Sequence, residues 1–124
     1  MSWLWVALGG ALGSVARHGV ARAWPAAPGG FPVPTLTVNL LGSFAIGLLY
    51  MWISTRPGIG GDSARLFWMT GVLGGFTTYS AFALESTLLG FSATGIAYQV
   101  TTILGCLAVA WLGRIVGAAL LAGA

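Results

Sequence analysis

The residues best suited to chemistry are gathered in one stretch, residues 71–85, which reads GVLGGFTTYSAFALE. Beyond its three glycines lie the hydroxyls of Thr77, Thr78 and Ser80, a phenol and a carboxylate, within otherwise apolar flanks. Hydroxyls donate hydrogen bonds, a carboxylate accepts them, and backbone that leaves the helical conformation exposes carbonyl oxygens. Groups of these kinds bind ions in channels. We therefore take residues 71–85 as the candidate functional site.

The chain around this stretch is long enough to cross a membrane. From Leu66 to Leu89 it carries no proline and one charge, Glu85. At about 1.5 Å per residue, a helix of this length reaches roughly 36 Å, more than the ~30 Å of a hydrocarbon layer. Polar groups at that depth are tolerated where they face protein or line a cavity.

Composition favours a membrane setting for the whole chain. Of 124 residues, 57% are hydrophobic and only 6% are charged, whereas soluble domains have about 25% charged residues. The length allows about four spans of ~20 residues with short loops. We predict an all-α membrane protein with a single four-helix transmembrane domain over residues 1–124, its approximate spans being 3–21, 36–53, 66–89 and 94–112 or beyond.

Loop residues separate these spans. The prolines of residues 25–34 break any helix and mark the first loop, and residues 56–61 make a turn after which Asp62 or Ser63 can cap the third helix. The third junction, residues 90–92, is so short that helices three and four are predicted to form an antiparallel hairpin.

The third helix is predicted to be interrupted near the middle of the membrane. Its glycines weaken the helix just before the hydroxyls, and although a lone Ser or Thr usually bonds to its own helix, the combination indicates local unwinding. A helix from Arg65 to Phe76 would reach only about 18 Å. Carbonyls freed at that depth are acceptors suited to a bare cation.

Two features of the site leave alternatives open. Tyr79 and Phe82 share a helix face, where they either pack in the core or point their electropositive ring edges at a small anion. Glu85 is a hydrogen-bonded structural residue, the partner of an arginine, or a functional carboxylate.

The five arginines report on orientation. They are spread singly, so no basic cluster predicts nucleic-acid binding. Four spans place Arg17 and Arg22 towards one side and the other three towards the opposite side, a poor bias for a single orientation. The chain is therefore a candidate for insertion in both directions, unless Arg17 or Arg114 is buried and should not be counted.

Pairs of glycines four residues apart predict close helix packing. They are Gly9 with Gly13, Gly71 with Gly75, and Gly113 with Gly117. In helix two, Asn39 and Ser43 share a narrow polar face. The single Cys106 forms no intrachain disulfide and is interpreted as a small apolar filler.

Three motifs in order resemble the Fluc (CrcB) fluoride channels of bacteria and other microbes. They are GGALGSVARH at 9–18, TLTVNLLGSFAIG at 35–47 and GVLGGFTTYSAFALE at 71–85. The resemblance implies a dual-topology homodimer in the bacterial cytoplasmic membrane, whose two antiparallel protomers form two fluoride pores. It also implies a structural Na⁺ at the dimer interface, held by the carbonyls of Gly74 and Thr77 from both protomers.

The same resemblance assigns roles in the pore. Asn39 would line it, Tyr79 and Phe82 would occupy the paired aromatic positions, and Arg17 would stand near a pore mouth. The remaining pore residues would be Thr78, Ser80, Glu85 and Tyr98, with Gln99 as a less certain alternative on helix four. Two residues depart from the pattern, since Tyr79 replaces the usual Phe and Ala81 replaces a Thr.

The mechanism that fits is passive escape of fluoride down its electrochemical gradient. A small proton-coupled drug exporter using Glu85 is the alternative, although such exporters place their key carboxylate in the first helix, where this chain has none. A third reading is a noncatalytic assembly subunit. An enzyme is the least favoured, because one His and two acids offer no catalytic spacing.

Overall fold

A computed structural model describes residues 1–55 and 61–123, and all regular secondary structure in these residues is helical. The predicted all-α class is therefore confirmed. The helices are α1 (Ser2–Ala23), α2 (Val33–Ser54), α3 (Asp62–Arg65), a π-helical segment (Leu66–Leu73), α4 (Gly74–Phe76), α5 (Tyr79–Leu89) and α6 (Ala93–Ala122). The segments from α3 to α5 follow one another along the chain, and we call them together the third rod. With α1, α2 and α6, which we also call rods, the described residues thus form four rods.

Two rods in the described part of the chain, α2 and α6, are long and apolar enough to cross a membrane by themselves. In the apolar 18-residue stretch of each helix, only 22% of the residues of α2 and 11% of those of α6 are buried inside the protein. A core helix of a soluble protein would bury most of such a surface. Exposed leucine, isoleucine and tryptophan side chains of this kind need an apolar solvent, which is what a bilayer supplies.

The starts of two rods differ from the prediction. Pro34 lies in the first turn of α2 rather than in the loop, because a proline there removes an N–H that has no helical partner anyway. The third helix begins with Gly61 at its N-cap and no side-chain cap, so the prediction that Asp62 or Ser63 caps it is wrong. Helix α6 continues to Ala122, in agreement with the prediction of 94–112 or beyond. The predicted turn residues Arg56, Pro57, Gly58 and Gly60 lie outside the described residues.

The rods pack as two parallel pairs. Along α1, Gly9 lies against Phe67 and Gly71, and Gly13 lies against Val72 and Phe76. The contacts advance in the same direction along both rods, so α1 and the third rod run parallel to each other. A Cβ at either glycine would come within 2.3 Å of a backbone oxygen. The predicted close packing through glycines therefore holds for this pair.

Helices α2 and α6 form the second parallel pair. Gly113 lies against the backbone of Phe44, and Gly117 lies against Leu48 and Met51. Helix α6 contacts α5 only weakly, although residues 90–92 join them through a turn in which Gly90 has a φ of 56°. The predicted hairpin of helices three and four is thus limited to the first two turns of α6, where Tyr98 contacts Phe82 and Glu85, because farther along α6 its glycine face packs against α2.

Candidate functional site

The third rod is interrupted at Thr77 and Thr78, which both adopt an extended backbone. Thr77 ends the first part, since its N–H and its hydroxyl both donate to the carbonyl of Leu73, at 3.0 and 2.9 Å. Thr78 begins the second part as the N-cap of α5, where its Oγ1 accepts the N–H of Ala81 at 3.2 Å. The interruption lies where the sequence predicted it, directly after the glycines.

Asn39 of α2 holds the interruption in place. Its Nδ2 donates to the carbonyl of Thr78 at 3.0 Å, and its Oδ1 accepts the Thr78 N–H at 2.8 Å. Both residues are buried, where an unpaired peptide group is costly. The side-chain amide therefore replaces the helical partners that Thr78 lacks.

A cavity of about 450 Å³ lies between α2, the third rod and α6. Its wall is mostly apolar and carries a few polar groups, which come from Asn39, Ser43, Thr77 and Thr102. Among the described residues, the Thr102 hydroxyl is buried and has no hydrogen-bond partner. Thr102 was not predicted as a site residue, and only its position one turn after Tyr98 could have indicated it.

Four aromatic rings form a row beside this cavity. Tyr79 lies 5.4 Å from Phe82, and Phe82 lies 5.4 Å from Tyr98 between ring centroids. Phe31, from the loop before α2, packs edge to face on Tyr98 at 5.4 Å. Phe82 and Tyr98 are buried, whereas Tyr79 is 78% exposed. The sequence indicated three of these rings and missed Phe31.

The Glu85 carboxylate is held by two hydroxyls. Thr35 donates to Oε1 at 2.7 Å, and Tyr98 donates to Oε2 at 2.6 Å. Glu85 is therefore hydrogen-bonded through both of its oxygens, and a functional role for this carboxyl group stays a prediction. Thr35 was missed, although it lies four residues before Asn39 and so on the same face of α2.

A second cavity, of about 350 Å³, reaches the interruption from another side. Arg17 and His18 line it together with Thr35, Thr78 and Glu85. Because Asn39 lines the first cavity and Thr78 the second, the hydrogen-bonded Asn39–Thr78 pair stands between the two.

The remaining predicted residues lie at the edges of this arrangement. Ser80 is exposed, with its Oγ 3.3 Å from Oγ1 of Thr78. Gln99 makes long contacts of 3.5 and 3.4 Å to the carbonyls of Ser86 and Gly90 at the end of α5, a position that favours a structural role. Gly74 is exposed and lines the first cavity with Thr77.

Comparisons with known proteins point in one direction. The model of the family described as CrcB-like protein, Camphor Resistance (CrcB), matches residues 4–114. The chain is 44% identical to the fluoride-specific ion channel FluC of Paracoccus denitrificans over 98% of both chains. It is 46% identical to the FluC of Sphingopyxis alaskensis over 89% of this chain and 90% of that one. For the FluC of Hyphomonas neptunium the identity is 45%, over 90% and 94%.

Proposed function

The chain belongs to the CrcB-like family, and on that premise we propose that it is a passive, fluoride-selective channel. The family is one of ion channels and not of enzymes, as expected from the sequence. The observation that carries the proposal is the Asn39–Thr78 pair, which stands at a helix interruption between two cavities.

Unused hydrogen-bond donors give the first cavity its affinity for a small anion. Fluoride must exchange its water for other donors when it enters a pore. The amide of Asn39 has two N–H groups and donates one to the carbonyl of Thr78, so the other can donate to an anion in the cavity. The hydroxyl of Thr102 is unpartnered among the described residues, and the edge of Phe82 adds a weaker positive surface. None of these groups carries a full charge that would trap the ion.

A second copy of the chain completes the site in this proposal. In one copy, Tyr79 is mostly exposed and the face that carries Gly74 and Thr77 is open. An antiparallel homodimer would cover both and would create two equivalent pores. The near balance of arginines between the two sides agrees with insertion in both orientations, here across the bacterial cytoplasmic membrane with four crossings per protomer.

A structural Na⁺ fits the interruption if both protomers contribute. Among the described residues, no group of three or more His, Cys, Asp or Glu could hold a metal ion, so its ligands would be backbone oxygens. Gly74 and Thr77 of one copy offer two carbonyls, fewer than a hard cation takes, and the second copy would double them. When bound, the ion would neutralise the carbonyl dipoles that converge on the interface.

Substitution of Gly74 by Ala tests the dimer. Gly74 has helical angles, φ −63° and ψ −36°, and an added Cβ would meet nothing closer than the Met69 carbonyl at 3.9 Å. We therefore expect the helical content to be unchanged while the dissociation constant of the dimer in detergent rises about 5- to 150-fold, as for a methyl that costs an interface about 1–3 kcal/mol.

Gly10→Ala on α1 is the matched control, because its Cβ would also meet nothing within 4 Å. Unaltered dimerisation of the Gly74 variant would argue against an interface at this face.

Fluoride efflux from liposomes that contain only the purified protein tests the proposed function. A noncatalytic assembly subunit would give no ion flux in this assay, so its result separates that reading from a channel.

The alternative of a proton-coupled drug exporter is tested by Glu85→Gln. The two hydroxyls that hold Glu85 can each donate or accept a hydrogen bond. A glutamine amide can therefore replace the carboxylate, accepting from one hydroxyl through its oxygen and donating to the other through its nitrogen. We expect fluoride flux to stay within about tenfold of the unmodified protein, the cost of roughly one hydrogen bond. Transport that depended on a proton carried by Glu85 would instead be abolished.

A further inference from the structure

A groove of about 210 Å³ lies far along the α2–α6 pair from the proposed pore. It is lined by Met51 of α2 and by Trp111, Arg114, Ile115 and Ala118 of α6. Because the two helices are parallel, Tyr50 stands beside Arg114, whose guanidinium carbon is 5.9 Å from the centre of the Tyr50 ring. The groove is thus an apolar trough with one cation at its side.

Arg114 has no acidic neighbour in this groove. The described residues that line it include neither Asp nor Glu. Of the two acids in the chain, Glu85 is already held by Thr35 and Tyr98, and Asp62, at the start of α3, does not line the groove. The contact with the Tyr50 ring supplies no hydrogen-bond acceptor for the five guanidinium N–H groups. The exposed Arg114 therefore requires an anion from outside the chain or water.

The surroundings of Arg114 are those of a membrane–water boundary. Tyr50 lies one turn before the end of α2 at Ser54. Trp111 is 69% exposed and Tyr50 is 45% exposed, and exposed Trp and Tyr are enriched at the headgroup level. An arginine at this depth extends its aliphatic stem along apolar surface and places its head at the boundary.

We propose that this groove binds the headgroup of an anionic phospholipid, with the phosphate on Arg114 and the acyl chains running past Trp111 towards the middle of the bilayer. A phosphate matches the fork of guanidinium donors, and the exposed ring of Trp111, nearly one turn closer to the bilayer middle, offers the acyl chains an apolar surface. A second copy of this protein is a poorer occupant, because each copy has a net charge of +3. The site is independent of the fluoride pathway.

Lipid retention in native mass spectrometry tests the proposal. Purified protein in detergent is offered phosphatidylglycerol or phosphatidylcholine at equal concentrations, and the bound molecules per chain are counted. We expect phosphatidylglycerol to be favoured and Arg114→Gln to lower its affinity about fivefold, the effect of one cation near anionic lipid. Arg22→Gln, which removes another exposed arginine at the end of α1, should leave the count unchanged.

A second variant, Ala118→Leu, fills the groove one turn beyond Arg114 and keeps the charge, so it should obstruct the headgroup and also reduce binding of phosphatidylglycerol. Thermal unfolding in lipid-free detergent checks that each variant folds as the unmodified protein does. The proposal is overturned if phosphatidylcholine is retained equally, if Arg114→Gln and Arg22→Gln behave alike, or if Arg114→Gln changes the dimer fraction and not the lipid count.

Discussion

Replacement of Asn39 by Leu is expected to abolish fluoride conduction and to destabilise the protein. Leucine has nearly the same size but leaves the N–H and the carbonyl of Thr78 buried without partners. Each unsatisfied group costs about 1–3 kcal/mol. The variant also loses the second amide N–H that we assign to fluoride. Fluoride efflux and thermal unfolding in detergent measure the two effects.

Thr37→Val is the matched control, because Thr37 is on the same helix but donates only to the Val33 carbonyl of its own helix. We expect its flux to equal that of the unmodified protein within about twofold, since such a bond contributes little. Undiminished fluoride flux through Asn39→Leu would contradict the role given to the Asn39–Thr78 pair.

Gly13→Ala is expected to give the largest loss of stability among single-methyl changes on α1. The added Cβ would lie 2.1 Å from the Val72 carbonyl oxygen and 2.8 Å from the Phe76 nitrogen. Both are backbone atoms, so α1 must move away from the third rod as a unit. Overpacking of this kind costs about 1–3 kcal/mol or more, and the displaced rod carries the interruption. We expect a lower midpoint of thermal unfolding together with reduced fluoride flux.

Gly10→Ala provides the comparison on the same helix, since its Cβ would meet nothing within 4 Å. It should leave stability equal or slightly higher, because Ala favours a helix over Gly by up to about 1 kcal/mol. Equal midpoints for Gly13→Ala and Gly10→Ala would mean that α1 and the third rod do not approach each other through Gly13.

Features set by neighbouring residues in the chain could be predicted from the sequence. The interruption at Thr77 and Thr78 follows from the glycines and hydroxyls around it, and the close packing of α1 follows from the spacing of Gly9 and Gly13. The all-helical class follows from the apolar composition. Each of these features depends on residues that are neighbours in the chain, on a spacing within one helix, or on overall composition, all of which can be seen in the sequence.

Features set by contacts between rods could not be predicted in this way. Thr35 contacts Glu85, and Phe31, just before α2, contacts Tyr98. The spacing of residues along α2 does not indicate which residues of the other helices they will contact. The preference of α6 for α2 over α5 is likewise a choice between partners. The π-helical segment Leu66–Leu73 contains no proline, and its residue pattern does not distinguish it from an ordinary α-helix.

The most direct test of a fluoride-selective pore is ion efflux from liposomes that hold only this purified protein. Vesicles loaded with equal fluoride and chloride are diluted into a medium free of both, with a potassium ionophore present to balance charge, and each anion is followed with its own electrode. A passive fluoride channel predicts rapid loss of fluoride with negligible loss of chloride and no need for a proton gradient. Comparable loss of both halides, or no loss of either, would contradict it.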